Sequence, residues 1–468
     1  MNNDSYDSII IGAGLTGLTI AHYLRRAGLR VLVLDRRAEP GGVIRSTSED
    51  GFLYEAGPNT GVISSVELVR LFEELNLTFE VPQQFSHARW IWKQNRWEPL
   101  PSGLMSAIRT SLFTFRDKLR ILWEPFRKKG INPDETLAEL VVRRMGRSFL
   151  DYAIDPFISG IYAGDPARLV TRYAMPKLFA LEQNYGSFIK GSVAKARQPK
   201  TADEKKVTKE VFSLKGGLSK LTEALVQSVG EENIQCNCMG IKVSEPHKGM
   251  YTVNYNQSPT PDAPSQLISL YSKTVITTVG ASSLPEVFPF LQQEEAESMN
   301  SLLYAKVVQV AVGYKHWDGI PIHAFGGLVP SSEKKDILGI LFPSALFEGR
   351  APEKGALLSV FMGGIKRPEL FELEDDKIKE IALQHVKEMM KPSVEPDLVR
   401  VFRYRQAIPQ YDAGSGQRLQ TVKDLQFRHP GLLLAGNIRD GIGMSDRVKQ
   451  GYAIAKEVID FINISRFI

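Results

Sequence analysis

The stretch DSIIIGAGLTGLTIAHYLRRAGLRVLVLD, residues 7–35, decides the fold. Ile9, Ile10 and Ile11 form a β-branched run that ends at a glycine. Leu18, Ala21, Tyr23 and Leu24 then recur at helical spacing, and Val31–Leu34 is a second apolar run closed by Asp35. A helical period between two β runs predicts strand, glycine turn, helix, strand, acid. In such a turn Gly12 permits the tight bend, Gly14 lets the backbone approach a pyrophosphate, and Gly17 lets the helix pack on the strand. Leu15 and Thr16 open the helix, where unpaired N–H groups are offered to phosphate. Asp35, followed by Arg36, falls where an acid accepts from a ribose 2′-OH. The glycine pattern alone is a weak signal. With the strand before it, the helix after it and the acid at this distance, it predicts a dinucleotide site.

The sequence around this unit narrows the dinucleotide to FAD. Pro40, Gly41, Gly42, Val43 and Arg45 supply a second glycine turn near the pyrophosphate, with a cation against it. Gly57, Pro58 and Asn59 follow in GFLYEAGPNT at 51–60. Far along the chain, Gly436, Asn437 and Gly443 form another glycine-rich turn after an apolar run. Met444 and Ser445 open a closing helix over 448–461. Its N-terminus is placed to face the ribityl or pyrimidine end of a flavin, where negative charge develops on reduction. The two ends of the chain are thus expected to build one site.

Composition sets outer limits. The chain has 468 residues, room for two or three domains, with 43% hydrophobic and 24% charged residues, as in a globular protein. A net charge of +5 gives no argument for nucleic acid. No apolar run is long enough to cross a membrane. The first strand begins by residue 7 or 8, so the expectation is a cytoplasmic protein with no leader segment. Cys236 and Cys238 are the only cysteines, which suits a reducing compartment. Their alternation with Asn237 predicts one face of a strand. The seven histidines make no metal-ligand spacing, and no metal is expected.

The expected architecture is α/β and discontinuous. Residues 1–80, 213–282 and 421–468 form a Rossmann-like FAD domain. Residues 81–98, 200–212 and 283–420 form an α+β substrate domain with one amphipathic helix from Asp375 to Met390, SPTPDAPSQ at 258–266 is a turn-rich hairpin tip, and 99–199 form a helical lobe. In that lobe Leu104, Ile108, Leu112, Phe115, Leu119, Leu122 and Phe126 fall on one helical face, with Pro125 ending or kinking the helix and Thr114 a second candidate break. From Arg89 to Lys129 there are ten Lys or Arg against three acids. Such a face can lie among lipid headgroups, or can be an ordinary solvated helix surface.

Beyond the glycine turns, the chain resembles the oxygen-dependent, FAD-containing protoporphyrinogen oxidases and the related coproporphyrin-forming coproporphyrinogen oxidases. The likeness covers nearly the whole chain. It is carried by GAGLTG, PGGVIRS, GFLYEAGPNT, ARWIWKQNRWEPLP at 88–101, FISGIYAGDPARLV at 157–170, LEQNYGSFIKG at 181–191, FSLKGGLSKL at 212–221, AIPQYD at 407–412 and LAGNIRDGIG. The first motifs are common to amine-oxidase-like flavoproteins; AGDP, FSLKGGL and AIPQY are narrower. The family's usual Gly-His after PQY is replaced here by Asp412, Ala413 and Gly414, a local departure.

The resemblance implies an amine-oxidase-like two-domain flavoprotein of heme biosynthesis. It would oxidise a porphyrinogen by hydride transfer to flavin, with O2 as acceptor and H2O2 as product, and no protein acid or base would be obligatory. It further implies that Arg89 anchors a propionate carboxylate, that Gly164 lines the pocket, and that backbone near Val243 lies beside the adenine. Phe325, Leu341, Phe342 and Phe361 are candidate pocket walls. FAD would be noncovalent, since no cysteine lies near the C-terminus. A membrane surface, the cytoplasmic face of the inner membrane, and a ferrochelatase are the implied partners. An amine oxidase or carotenoid desaturase would share the glycine motifs but not FSLKGGL and AIPQY. A non-enzymatic flavin fold would not need Asp35, Arg45, Gly436 and Asp446.

Overall fold

In the computed structural model, which describes residues 5–83, 86–101, 103–199, 201–258 and 264–465, the first apolar run becomes the middle of a seven-stranded sheet. Ser5–Ile11 pairs in parallel with Val31–Leu34 on one side and with Gln266–Thr277 on the other. Ile234–Gln235 extends the first edge in parallel, and Leu432–Leu434 pairs in parallel with the end of Gln266–Thr277. Tyr251–Gln257 and then Met239–Val243 add an antiparallel edge. The central strands are covered on both faces, which is why their sequences are continuously apolar rather than alternating. Ile10, Val31 and Val33 pack under helices Leu15–Arg26, Ser219–Val229 and Met444–Ser465; Ile9, Ile11 and Leu34 face a second core.

The second sheet also has seven strands, in the order Leu398–Pro409, Tyr304–Tyr314, Ala356–Gly363, Gly339–Leu341, Gly326–Leu328, Arg89–Lys93, Arg96–Pro99. It is antiparallel except where Gly326–Leu328 runs alongside Arg89–Lys93. Helix Asp375–Met390, the amphipathic span predicted from its periodicity, covers one face with Ile378, Ala382, Val386 and Met390. Arg89 is thereby carried by a strand of this sheet although it precedes the helical lobe in sequence.

Between Arg96–Pro99 and residue 206 the described residues are helices and turns, apart from one isolated bridge between Thr136 and Val170. The helices surround a buried ion cluster. Arg144, with no solvent exposure, donates to Glu124 Oε1 and Glu182 Oε1 at 2.5 Å each and to Gly186 O at 2.8 Å. Ser187 Oγ donates to the second oxygen of Glu124 at 2.6 Å.

Several expectations need correction here. The stripe over 104–126 is not one face. Leu104–Arg109 ends before Thr110, and Thr114 caps a new helix, Phe115–Leu122, by accepting the Asp117 N–H at 3.3 Å. Leu112 in the break is fully buried, whereas Phe115, Leu122 and Phe126 are exposed. The side chains of Leu104 and Ile108 lie outside the described residues. Pro125 sits in a single 3₁₀ turn, Glu124–Phe126. Cys236 and Cys238 do not share a strand face, because Asn237 between them takes φ +57° and bends the chain. The turn expected over 258–266 joins paired strands, but its residues 259–263 lie outside the described set.

Candidate cofactor and substrate cavity

The turn after Ser5–Ile11 shows why each glycine of 12–17 is needed. Gly12 has φ +110°, a left-handed value that disfavours any side chain. A Cβ at Gly17 would sit 1.9 Å from Gly12 O, so helix and turn could not approach as they do. At Gly14 the nearest atom to such a Cβ is Gly42 Cα at 3.9 Å, and the space beyond is cavity. Gly14 caps the helix without a side chain, leaving the first-turn N–H groups of Leu15 and Thr16 to the cavity wall they form.

Asp35 is 8% exposed and borders the same cavity. Its Oδ2 accepts the Ala13 N–H at 2.6 Å and its Oδ1 the Arg37 N–H at 2.8 Å. Each carboxylate oxygen has a second lone pair, so the acid both fixes the glycine turn and keeps acceptor capacity for a hydroxyl. Its backbone carbonyl accepts the Cys238 N–H at 2.9 Å, which brings the Cys236–Cys238 bend and strand Met239–Val243 to the same end.

The cavity encloses about 1200 Å³, above the range of an ordinary small-ligand pocket. One half is walled by Gly12, Gly14, Leu15, Thr16, Asp35, Arg36, Gly42, Val43, Gly57, Pro58 and Asn59, and by Gly436, Asn437, Gly443, Met444 and Ser445 from the chain's other end. The length, the open helix N-termini and the acid fit FAD. The other half lies between the second sheet and helix Asp155–Tyr162. Phe157 and Ile161 face Phe325, Leu328, Leu341 and Phe361 across it. Arg89 is exposed at this half, its guanidinium 5.3 Å from the centre of the Phe325 ring. Tyr404 also lines the cavity; burial pushes its hydroxyl up to about 12, so it stays neutral.

Four residues are placed differently from expectation. Arg45 points outward, 3.7 Å from Glu39, and the cations bordering the cavity there are Arg36 and Arg37. Val243 is buried in the core, while Met239 to Lys242 of its strand border the cavity. Phe342 is fully buried against Trp90. Gly164 lines a separate cavity of about 220 Å³ that shares Ala163 and Leu338 with the larger one. A Cβ on Gly164 would meet Gln410 Oε1 at 2.5 Å, so a side chain there would displace the Gln410 amide.

The narrower motifs prove to be braces. Gln410 of AIPQY donates to Tyr162 O at 3.0 Å, tying that strand to AGDP. Tyr411 donates from its hydroxyl to Asn437 O at 3.1 Å and Gly441 O at 3.0 Å, holding the C-terminal glycine loop. In FSLKGGL, the Leu218 N–H donates to buried Glu55 at 2.9 Å. Gln309, also buried, accepts the Gly57 N–H at 3.1 Å and donates to Glu55 O at 2.7 Å. Sequence reading missed Gln309, Tyr411 and Arg447, all of which touch the cofactor half only through folding.

Among the described residues no group of acids, histidines and cysteines could hold a metal, and no helix is long and apolar enough to cross a membrane.

The chain matches the family described as flavin containing amine oxidoreductase over residues 15–459. It is 28% identical to protoporphyrinogen oxidase 2, chloroplastic/mitochondrial, of Arabidopsis thaliana, over 97% of this chain and 94% of that one. It is 25% identical to coproporphyrinogen III oxidase of Bacillus subtilis, over 99% and 100%. A solved protein of Exiguobacterium sp. 255-15 shares the fold with a TM-score of 0.80 at 23% identity, over 98% and 99% of the two chains.

Proposed function

The chain belongs to the flavin containing amine oxidoreductase family and is an FAD-dependent oxidoreductase, and from that premise we propose that it oxidises a porphyrinogen in heme biosynthesis, with O2 as acceptor and H2O2 as product. The observation that carries this reading is the apolar chamber continuous with the cofactor half, lined by Phe157, Phe325 and Phe361 and bearing one cation, Arg89. Bound FAD supplies the hydride acceptor and passes the electrons to O2.

The protein's own task is to hold the ring against the cofactor and exclude water. Phe157, Ile161, Phe325, Leu341 and Phe361 form walls for an apolar face. Arg89 offers a planar fork to a propionate. The same cation argues against the amine oxidases of this family, since it would repel an ammonium substrate. With a single cation on this half, the dicarboxylate protoporphyrinogen suits the chamber better than the tetracarboxylate coproporphyrinogen. In the neighbouring small cavity three of the four cations, Lys335, Lys366 and Arg367, are already paired with Glu388, Asp155 and Asp336; the fourth is Lys334.

We assign the cofactor-binding roles to the sixteen cavity-lining residues named above. FAD is held noncovalently, because Cys236 and Cys238 lie by Asp35 and the C-terminal glycine loop itself contains no cysteine. The lobe meets an anionic membrane surface through exposed Phe115, Leu122, Trp123, Phe126 and Ile131, flanked by Arg116 and Lys128. From there the product can pass to a ferrochelatase.

Anaerobic mixing with each porphyrinogen, followed by flavin absorbance, tests the proposal. Protoporphyrinogen should bleach the flavin faster than coproporphyrinogen, and porphyrin fluorescence should grow in step. A flavin bleached by primary amines and by neither porphyrinogen would assign the chain to amine oxidation instead.

A further inference from the structure

Arg447 lies in the first turn of helix Met444–Ser465 and is 8% exposed. Its Nη1 donates to Gly436 O and, at 2.9 Å, to Gln450 Oε1. Its Nη2 donates at 2.8 Å to both Arg439 O and Gly441 O. All four acceptors are neutral, and Nε, also buried, has no hydrogen-bond partner. The nearest acids are engaged elsewhere. Asp446 accepts the Gly443 N–H at 3.1 Å. Asp440 accepts from Gln450 Nε2 at 2.8 Å and lies 3.6 Å from Arg439.

This is a costly place for a cation. Burying a charge without an opposite one is strongly unfavourable. The first turn of a helix is its positive end, so the dipole disfavours it further. A neutral side chain could brace the loop at less cost. Yet Arg447 is one of the residues lining the cofactor half, beside Gly436, Asn437 and Gly443. Asp446 and Asp440 act on this buried charge only through space, without an ion pair, so its close counter-ion is left to the ligand.

We propose that Arg447 is the standing counter-charge for reduced FAD, a fixed cation that makes this end of the cavity hold the cofactor more tightly after it gains electrons than before. Negative charge develops on a flavin as it is reduced, and a preorganised cation in a water-poor site stabilises it. The effect lowers the barrier to each hydride transfer by favouring its product. Arg447 is a positioning residue in this sense, whatever the substrate. The inference rests on the FAD cofactor and not on the porphyrinogen reading.

The test is the two-electron midpoint potential of the purified holoprotein, measured by dye equilibration without any substrate. Arg447→Gln keeps hydrogen-bonding capacity but removes the charge. It should lose at least tenfold in preference for reduced over oxidised FAD, a midpoint about 30 mV more negative. Arg447→Lys keeps the charge and loses the fork; its preference should stay within about threefold of wild type. A Gln variant with the wild-type potential overturns the proposal, and so do equal shifts in both variants, which would mark a purely structural clamp. If Arg447→Gln does not retain FAD, oxidised and reduced FAD are titrated into the apoproteins of wild type and Arg447→Lys. An unchanged ratio of affinities supports the charge role, and a lost ratio overturns it. Failure with porphyrinogens would leave these potentials unaffected, so the two claims fail separately.

Discussion

Arg89 presents its guanidinium beside Phe325 and has no carboxylate partner among the described residues. A propionate far from the reacting carbon is bound about equally in the ground and transition states, so Arg89→Ala should act mainly on KM. The expected loss in kcat/KM is about 1.5–3 kcal/mol, or ten- to hundredfold, the scale of a charge-assisted hydrogen bond. Arg89→Lys should recover part of it. The measurement compares protoporphyrinogen with its methyl ester; a mutant that keeps the wild-type preference for the free acid would remove Arg89 from the clamp. Asp35 carries two duties, so Asp35→Ala should weaken FAD by about 1–3 kcal/mol and also lower stability. Asp35→Asn, which keeps one carbonyl acceptor, should lose less of both, as read by flavin titration and urea unfolding. Acid precipitation of the wild type should leave all flavin in the supernatant; flavin on the pellet would show a covalent link. The roles of Gly12, Gly17 and Asp35 in the turn were legible in the sequence because the strand–glycine–helix–strand–acid pattern is local, although Gly12 also meets Thr278 and Asp35 also bonds Gln235 and Cys238 from distant segments. Gln309 was not, since its partners Glu55 and Gly57 come from a distant segment; Arg447 was not, since its acceptors at 436–450 converge on the guanidinium only once the C-terminal loop is folded. Gly164 shows the limit of a motif match: it fixes a position in the chain but not the side of a wall.

At the scale of elements the helical lobe is held by the Glu124–Arg144–Glu182 cluster. Burial alone would raise both carboxyls. For Glu124 the Ser187 hydroxyl, the Phe188 N–H and Arg144 overcome it; for Glu182 the Arg143 and Arg144 guanidinium groups and the Gly130 N–H do so. Both carboxyls are thus held below the ordinary range. A depressed folded value means stability that is present above the unfolded value of about 4.3 and lost as pH falls through the folded one. Hydrogen exchange should therefore show residues 124–188 opening earlier than the first sheet as pH is lowered below about 4. Arg144→Met leaves Glu124 buried without its cation and should cost about 3–5 kcal/mol in urea unfolding. On the lobe's outer surface, Leu122→Ser with Phe126→Ser should reduce sedimentation with anionic vesicles while FAD stays bound. Vesicle binding that ignores both changes would place the contact elsewhere. Lys118 and Arg120 are poorer choices for that experiment because they donate to Thr110 O and Val142 O inside the lobe. The helix Asp375–Met390 was readable because its period is uninterrupted. The stripe at 104–126 misled as a single face because helical spacing continues across the break expected near Thr114, where Thr114 and Asp117 cap a second helix.

For the whole molecule, fold class was within reach of the sequence, since two glycine turns at opposite ends could serve one dinucleotide only if the chain returned to its start. The sheet shows how it returns: Leu432–Leu434 docks on Gln266–Thr277, which docks on Ser5–Ile11. What sequence could not supply was the placement of the second sheet against the lobe, which sets the chamber walls and depends on packing between distant segments. The closure of that sheet has a consequence for how the protein is made. Gly12 and Gly436 are separated by 424 residues (436 − 12). At about 5–20 residues per second, a ribosome needs roughly 20–85 seconds to travel between them. Throughout that interval the nascent chain has half a nucleotide cradle: strand Ser5–Ile11 lacks its second neighbour until residue 277 is made, and Gln266–Thr277 lacks Leu432–Leu434 after that. Flavin capture thus waits for the C-terminal glycine loop, residues 436–445. A ribosome-bound chain arrested before residue 432 should carry no flavin, and a stop codon there should give a chain that chaperones retain rather than a weakened enzyme.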